Sequence, residues 1–147
     1  MSSLAEVIDF PARHQLTEPH SLEHDTVLAL ATADDVASGM GRVVQQIRRD
    51  SGAVGVEWWA AADDGKLKLA AAAGFACGTR ETLSLGSAGV LVLHGGGLDP
   101  RIESVLTSLT PILRRRSAEE RLAQTTIQLA RRNEALEDFA ALVAHEL

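Results

Sequence analysis

His145 and Glu146, adjacent to each other near the C-terminal end, are the residues of this sequence best suited to chemistry. A neutral imidazole nitrogen is a nucleophile, and a neighbouring carboxylate can take up proton charge while a nucleophile attacks. The pair therefore points to phosphoryl transfer. Surface His-Glu pairs also occur as ordinary polar residues, so the interpretation depends on the element that carries this one.

A heptad repeat precedes the pair. Apolar residues recur every seven positions at Leu122, Leu129, Leu136 and Val143, which is typical of a coiled coil. If these are d positions, the a positions are Glu119, Thr126, Asn133 and Ala140. Asn133 either fixes the register of a parallel helix pair or is a solvent-exposed residue on a lone helix. His145 falls at an f position, facing away from the seam.

The last nine residues, Phe139-Ala-Ala-Leu-Val-Ala-His-Glu-Leu147, resemble the H-box of two-component sensor histidine kinases. The resemblance implies that His145 is the phosphoacceptor and that Glu146 is a general base. In that family the motif continues into an Arg-x-Pro-Leu segment and later an ATP-binding domain. ATP and Mg²⁺ are therefore expected only with that further domain, and no cofactor or metal is expected in this chain. The expected partners are the kinase ATP-binding domain, a response regulator and a second copy of the chain.

The upstream sequence alternates between helical and strand periods. Residues 21–50 have apolar residues at helical spacing, and Ala33-Asp34-Asp35 leaves open whether they form one helix or two. Alternation on both sides of Asp63-Asp64-Gly65-Lys66 predicts a hairpin, and a second hairpin joins 82–85 to 90–94. Asp99-Pro100 begins a further helix, in which Pro111 predicts either a kink or a new helix start.

This order of elements resembles a GAF domain followed by a kinase dimerisation helix, over about residues 24–116. In particular, Leu83-Ser-Leu-Gly-Ser-Ala-Gly-Val-Leu-Val-Leu93 is similar to the last hairpin of GAF domains. The segment between Phe75 and Thr82 is shorter than the one that walls the ligand pocket in that family. We therefore expect an α+β fold: a reduced GAF-like domain with a four-stranded antiparallel sheet packed by helices, followed by a long C-terminal coiled-coil helix.

Two tryptophans and one histidine lie on the predicted strands. Trp58 and Trp59 are adjacent, so they must point to opposite faces of the sheet. Trp58 is predicted to join the core, which leaves Trp59 for the other face as a ligand contact, a partner contact or the cap of a shallow second core. His94 ends the last strand and is interpreted as a satisfied core or edge histidine.

Composition and charge limit the classes of function. A net charge of −6 argues against nucleic-acid binding, which needs clustered Lys and Arg. The single cysteine, Cys77, rules out an internal disulfide and agrees with a cytoplasmic location. No apolar run reaches the ~18 residues of a membrane helix, so no membrane contact is expected.

These observations predict three segments: a flexible tail over 1–20, a GAF-like sensory and dimerisation domain over 21–116, and a signalling coiled coil leading into the H-box helix over 117–147. The predicted function is the sensory and dimerisation segment of a cytoplasmic sensor histidine kinase that pairs in parallel through its 117–147 helices. The alternative is a stand-alone dimeric GAF-like regulatory module without catalysis. A weaker third interpretation is a small-molecule receptor.

Overall fold

A computed structural model describes residues 21–146; the predicted tail over 1–20 lies outside the described residues. The elements follow in the order α1 (Leu22–Thr32), α2 (Val36–Ser51), β1 (Gly55–Ala61), β2 (Leu67–Gly74), β3 (Arg80–Ser84), β4 (Val90–His94) and α3 (Pro100–Glu146), with a 3-10 turn at Gly86–Ala88. The chain divides into two compact units, one ending at Arg114 and the other beginning at Arg115.

The helical stretch after residue 20 is two helices. The Ser21 side chain caps α1 by accepting a hydrogen bond from the His24 backbone N–H, and the Asp35 carboxylate caps α2 by accepting one from the Ser38 N–H at 2.7 Å. The Asp35 cap starts a second helix, which settles whether residues 21–50 form one helix or two. Helix α2 ends at Gly52, whose φ of 74° is the left-handed conformation that glycine adopts most readily.

The four strands form an antiparallel sheet in the order β2-β1-β4-β3, which confirms the predicted α+β class and the four-stranded antiparallel sheet. The apolar strand β4 and the strand β1 are central, and β2 and β3 are the edges. A register shift lies opposite Ala70, since Trp58 pairs with Ala71 but Trp59 pairs with Leu69. This irregularity left no signal in the sequence.

The hydrophobic core of the first unit lies between the helices and one face of the sheet. From the helices it takes Leu30, Met40, Val43, Val44 and Ile47 and, from the first turns of α3, Ile102, Val105, Leu109 and Leu113. Alternate residues of the central strands, Val56, Trp58, Leu91 and Leu93, face these helices. Residues between them on the same strands face the other side, which we call the outer face.

Helix α3 begins at Pro100, as the sequence predicted. The sequence left open whether Pro111 kinks this helix or starts a new one. The Asp99 carboxylate accepts hydrogen bonds from the backbone N–H groups of Arg101 and Ile102, which fixes the helix start. The helix then runs through Pro111 without interruption, so the predicted alternative of a new helix at Thr110-Pro111 is wrong. Proline has no N–H, so Pro111 cannot donate a hydrogen bond to the Thr107 carbonyl. Both residues are exposed, so water can bind that carbonyl instead.

Within residues 21–146, none of the helices combines the length and the apolar character that crossing a membrane requires.

Candidate functional site

His145 and Glu146 occupy the final turn of α3, and both side chains are exposed. Neither makes a hydrogen bond or an ion pair with another residue of the described chain. Adjacent positions on a helix do not face each other, so Glu146 does not hold the His145 ring in this structure. The residue one turn earlier, Ala141, has a small side chain, so it leaves the His145 ring uncovered.

An uncovered apolar stripe runs along the same helix. The d positions Leu122, Leu129, Leu136 and Val143 are 68%, 53%, 65% and 40% exposed, and every residue from Arg121 to Glu146 is exposed. An exposed apolar stripe of this regularity is typical of an interaction surface. Because His145 lies two residues after Val143, it is rotated about 200° from the stripe. A partner helix on the stripe would therefore leave His145 accessible.

A second polar site lies on the outer face of the sheet. His94 Nε2 is 2.7 Å from Glu57 Oε1, and the two side chains are only 10% and 18% exposed. The Trp59 indole N–H donates to the same carboxylate oxygen at 3.3 Å. The hydrogen bond to His94 lowers the pKa of Glu57, against the opposing effect of burial and with smaller help from Trp59 and from the charges of His94 and Arg80. This pair is a satisfied polar contact, which confirms the interpretation of His94.

The two tryptophans divide between the faces as predicted. The Trp58 side chain is buried in the core, and its indole N–H donates to the Ala88 carbonyl at 3.0 Å. Trp59 is half-buried beside Glu57 on the outer face and lies opposite Leu69 in the ladder. Val92, also on the outer face, is fully buried although it belongs to no part of the helix-side core. The outer face is therefore a partly covered surface with a polar centre.

Sequence reasoning did not single out Glu57. Two features of the sequence could have indicated Glu57: it is the one acidic residue in an otherwise apolar strand, and it falls on the same side of that strand as Trp59. Its partner is 37 residues away, so only the register of β1 with β4 brings the two together. Within residues 21–146, no cluster of three or more His, Cys, Asp or Glu side chains is arranged to hold a metal ion.

Comparisons of the chain with protein-family models, with curated proteins and with solved structures found no match.

Proposed function

We propose that this chain is the sensory and dimerisation segment of a two-component sensor histidine kinase and that it presents His145 as the phosphoacceptor. The observation that carries the proposal is the combination on one helix of an exposed heptad stripe and an exposed histidine on the opposite side. The similarity of Phe139–Leu147 to an H-box supports it. The element order and the last hairpin support a GAF-like identity for residues 21–116.

In this proposal the α3 helices of two copies pair in parallel along Leu122, Leu129, Leu136 and Val143. Asn133, at an a position, faces its counterpart and sets the register. An ATP-binding domain places the γ-phosphate of Mg·ATP next to His145 from the open side. An unprotonated ring nitrogen then attacks phosphorus, the bond to the β–γ bridging oxygen breaks, and ADP leaves. The Glu146 side chain turns toward the ring and accepts the proton of the other ring nitrogen.

The first unit supplies the input. A change in the packing of residues 21–116 alters the register or rotation of the paired helices, which changes the access of the ATP-binding domain to His145. The phosphoryl group then passes to a response regulator. Catalysis of phosphoryl transfer belongs to the ATP-binding domain, so the chain described here serves as its substrate.

The direct test supplies the chain with the isolated ATP-binding domain of a histidine kinase and Mg·ATP labelled on the γ-phosphate. We expect one labelled site per chain, with the acid lability and alkali stability of a phosphoramidate. Label should be lost in His145→Gln and be retained in His24→Gln, which alters an exposed histidine of α1. Label that survives His145→Gln, or wild-type chain that takes up none, contradicts the proposal.

A second function is favoured by the stripe alone, because pairing needs no chemistry at His145. In this alternative the chain is a dimeric regulatory module that docks a partner through its paired helices. The reading frame beyond Leu147 distinguishes the two: continuation into Arg-x-Pro-Leu and an ATP-binding domain supports the kinase segment. A stop codon there, with unlabelled His145, supports the module.

A further inference from the structure

The two edges of the sheet differ in how they are protected. Strand β3 has five residues, including Arg80 and Glu81 as charged residues, and short charged edges resist pairing with other chains. Strand β2 has eight residues, Leu-Lys-Leu-Ala-Ala-Ala-Ala-Gly, with Lys68 as its one charge. Among the described residues its only ladder partner is β1, so alternate N–H and C=O groups of β2 point away from the sheet without a strand to bind them.

A cationic groove runs beside the end of this edge. It has a volume of about 580 Å³ and is lined by Gln45, Arg48 and Arg49 of α2, by Ala53, and by Ala72, Ala73 and Gly74 of β2. Arg48 is held in place because its Nε donates to the Val54 carbonyl at 3.1 Å. Its side chain packs on Gly74, where a Cβ would collide with it. No carboxylate is among the lining residues, so the groove is a positive site in a chain of net charge −6.

The pleat of β2 defines what an added strand would meet on each side. Lys68 pairs with Ala60, which packs on the helix-side core, so Lys68 lies on the same side as Arg48 and Arg49. Leu69 pairs with Trp59, and Leu67 with Ala61, so both exposed leucines lie on the outer face. A strand added beyond β2 would therefore present alternate side chains to cations on one side and to leucines on the other.

We propose that the β2 edge is a docking site for an extended acidic segment of a partner protein, with Glu or Asp alternating with aliphatic residues. Its backbone completes the unpaired edge of β2, since an added strand gains main-chain hydrogen bonds. Its carboxylates, on the α2 side, bind the Arg48 and Arg49 guanidinium groups. Its aliphatic residues cover Leu67 and Leu69. This surface takes no part in pairing along α3 or in chemistry at His145, so it stands independently of the proposed function.

The test titrates ¹⁵N-labelled full chain with the blocked hexapeptide Glu-Val-Glu-Ile-Glu-Val. We expect shifts in the amide signals of residues 67–74 and of Arg48 and Arg49, and affinity that falls as salt rises. Arg49→Glu should weaken binding about tenfold, the scale of one lost charge-assisted contact. Arg80→Glu, the same charge change on the opposite edge, should leave the affinity within about twofold.

Two matched peptides distinguish strand addition from simple charge attraction. A peptide with N-methyl groups at alternate residues loses the donors that face β2, and a peptide with Lys in place of Glu reverses the charge; neither should bind. The proposal is overturned by equal binding of the N-methylated peptide, by shifts at β3 instead of β2, by equal losses for Arg49→Glu and Arg80→Glu, or by no shift at about 1 mM peptide. Self-association of the free chain through β2 overturns it as well, because the occupant would then be a second copy.

Discussion

Residues 21–114 and residues 115–146 differ in whether their apolar side chains are buried. In the first region the helices and the sheet bury Leu30, Ile47, Leu91 and Leu109 completely within one chain. In the second, a single helix leaves its leucines exposed along a heptad stripe. Helices without packed neighbours are marginal in water, because tertiary burial supplies most of their stability. The first region therefore buries its own apolar side chains, whereas the second leaves an apolar surface exposed along its helix.

Two histidines, His94 of the first region and His145 of the second, differ in their contacts in a similar way. In the first region His94 contacts a carboxylate, since its Nε2 lies 2.7 Å from Glu57 Oε1. In the second region, His145 and Glu146 are exposed and make no such contact within the described chain. A satisfied buried pair contributes to stability, whereas an exposed and unoccupied histidine is available to a reagent or a partner.

The largest effect is expected from truncating a core residue of the first region. Leu91→Ala removes a fully buried side chain of the central strand and should lower the free energy of unfolding by about 2–5 kcal/mol. Denaturant unfolding followed by tryptophan fluorescence measures it, because Trp58 lies in the same core. The loss should be the same at every protein concentration. A loss under 1 kcal/mol would mean that this region is not packed as described.

The matching change in the second region should act on association instead. Leu129→Asp places a charge on the stripe, in both copies of a pair, and should weaken dimerisation by about 100-fold or more. Sedimentation velocity over a range of concentrations measures the dissociation constant. The Trp58 unfolding signal of the dissociated chain should be unchanged. If the association state of Leu129→Asp equals that of the wild type, the stripe is not an interface.

A smaller effect is expected at the outer face of the sheet. Glu57→Gln removes the charged acceptor of His94 and Trp59 and should lower the free energy of unfolding by about 1–3 kcal/mol at pH 7. Because the pKa of Glu57 is lowered in the folded chain, its stabilisation is fully present above the pKa of an unfolded glutamate, about 4.3. It is lost as the pH falls through the lower folded pKa. Unfolding of both proteins between pH 7 and pH 3 should converge at the acidic end; a constant difference would assign the effect to packing.

The smallest effect is expected at Asn133, the asparagine at an a position of the heptad repeat. Asn133→Leu should tighten association by about tenfold, since it adds a buried apolar side chain to the seam. It should also reduce specificity, so that oligomers larger than dimers appear. Light scattering coupled to size exclusion measures both. Unchanged mass and affinity would place Asn133 on a solvent-exposed side of a lone helix, which is the other interpretation of this residue.

Local chemistry made much of the fold predictable. The turn at Asp63-Asp64-Gly65-Lys66 and the helix start at Asp99-Pro100 are short-range signals, and the structure has both. Two features were not predictable from the sequence. The Glu57–His94 contact depends on how β1 aligns with β4, and the register shift opposite Ala70 depends on how β1 aligns with β2. The predicted helix start at Pro111 was wrong, because the energetic cost of a proline inside a helix depends on whether the carbonyl it leaves unpaired, that of Thr107, reaches solvent.

For the candidate site, the sequence predicted only where His145 lies on α3 relative to the heptad stripe. Heptad arithmetic places His145 opposite the stripe, and the helix extends to Glu146 as that arithmetic requires. The exposure of every residue from Arg121 to Glu146 was not predictable, since it depends on what the rest of the chain covers. The unprotected β2 edge was hidden for the same reason: a run of alanines becomes an edge only through the strand order.

In the proposed function, residues 117–146 of two copies pair in parallel, with Val143 at the seam and His145 facing outward. Cysteine cross-linking tests it most directly, in a Cys77→Ser background; Cys77 is exposed. In a parallel pair, Val143→Cys brings two d-position thiols within disulfide range, whereas Ala141→Cys, at a b position, points them apart. We expect rapid and nearly complete cross-linking of Val143→Cys under mild oxidation and little for Ala141→Cys. Equal cross-linking of the two, or none at position 143, would contradict it.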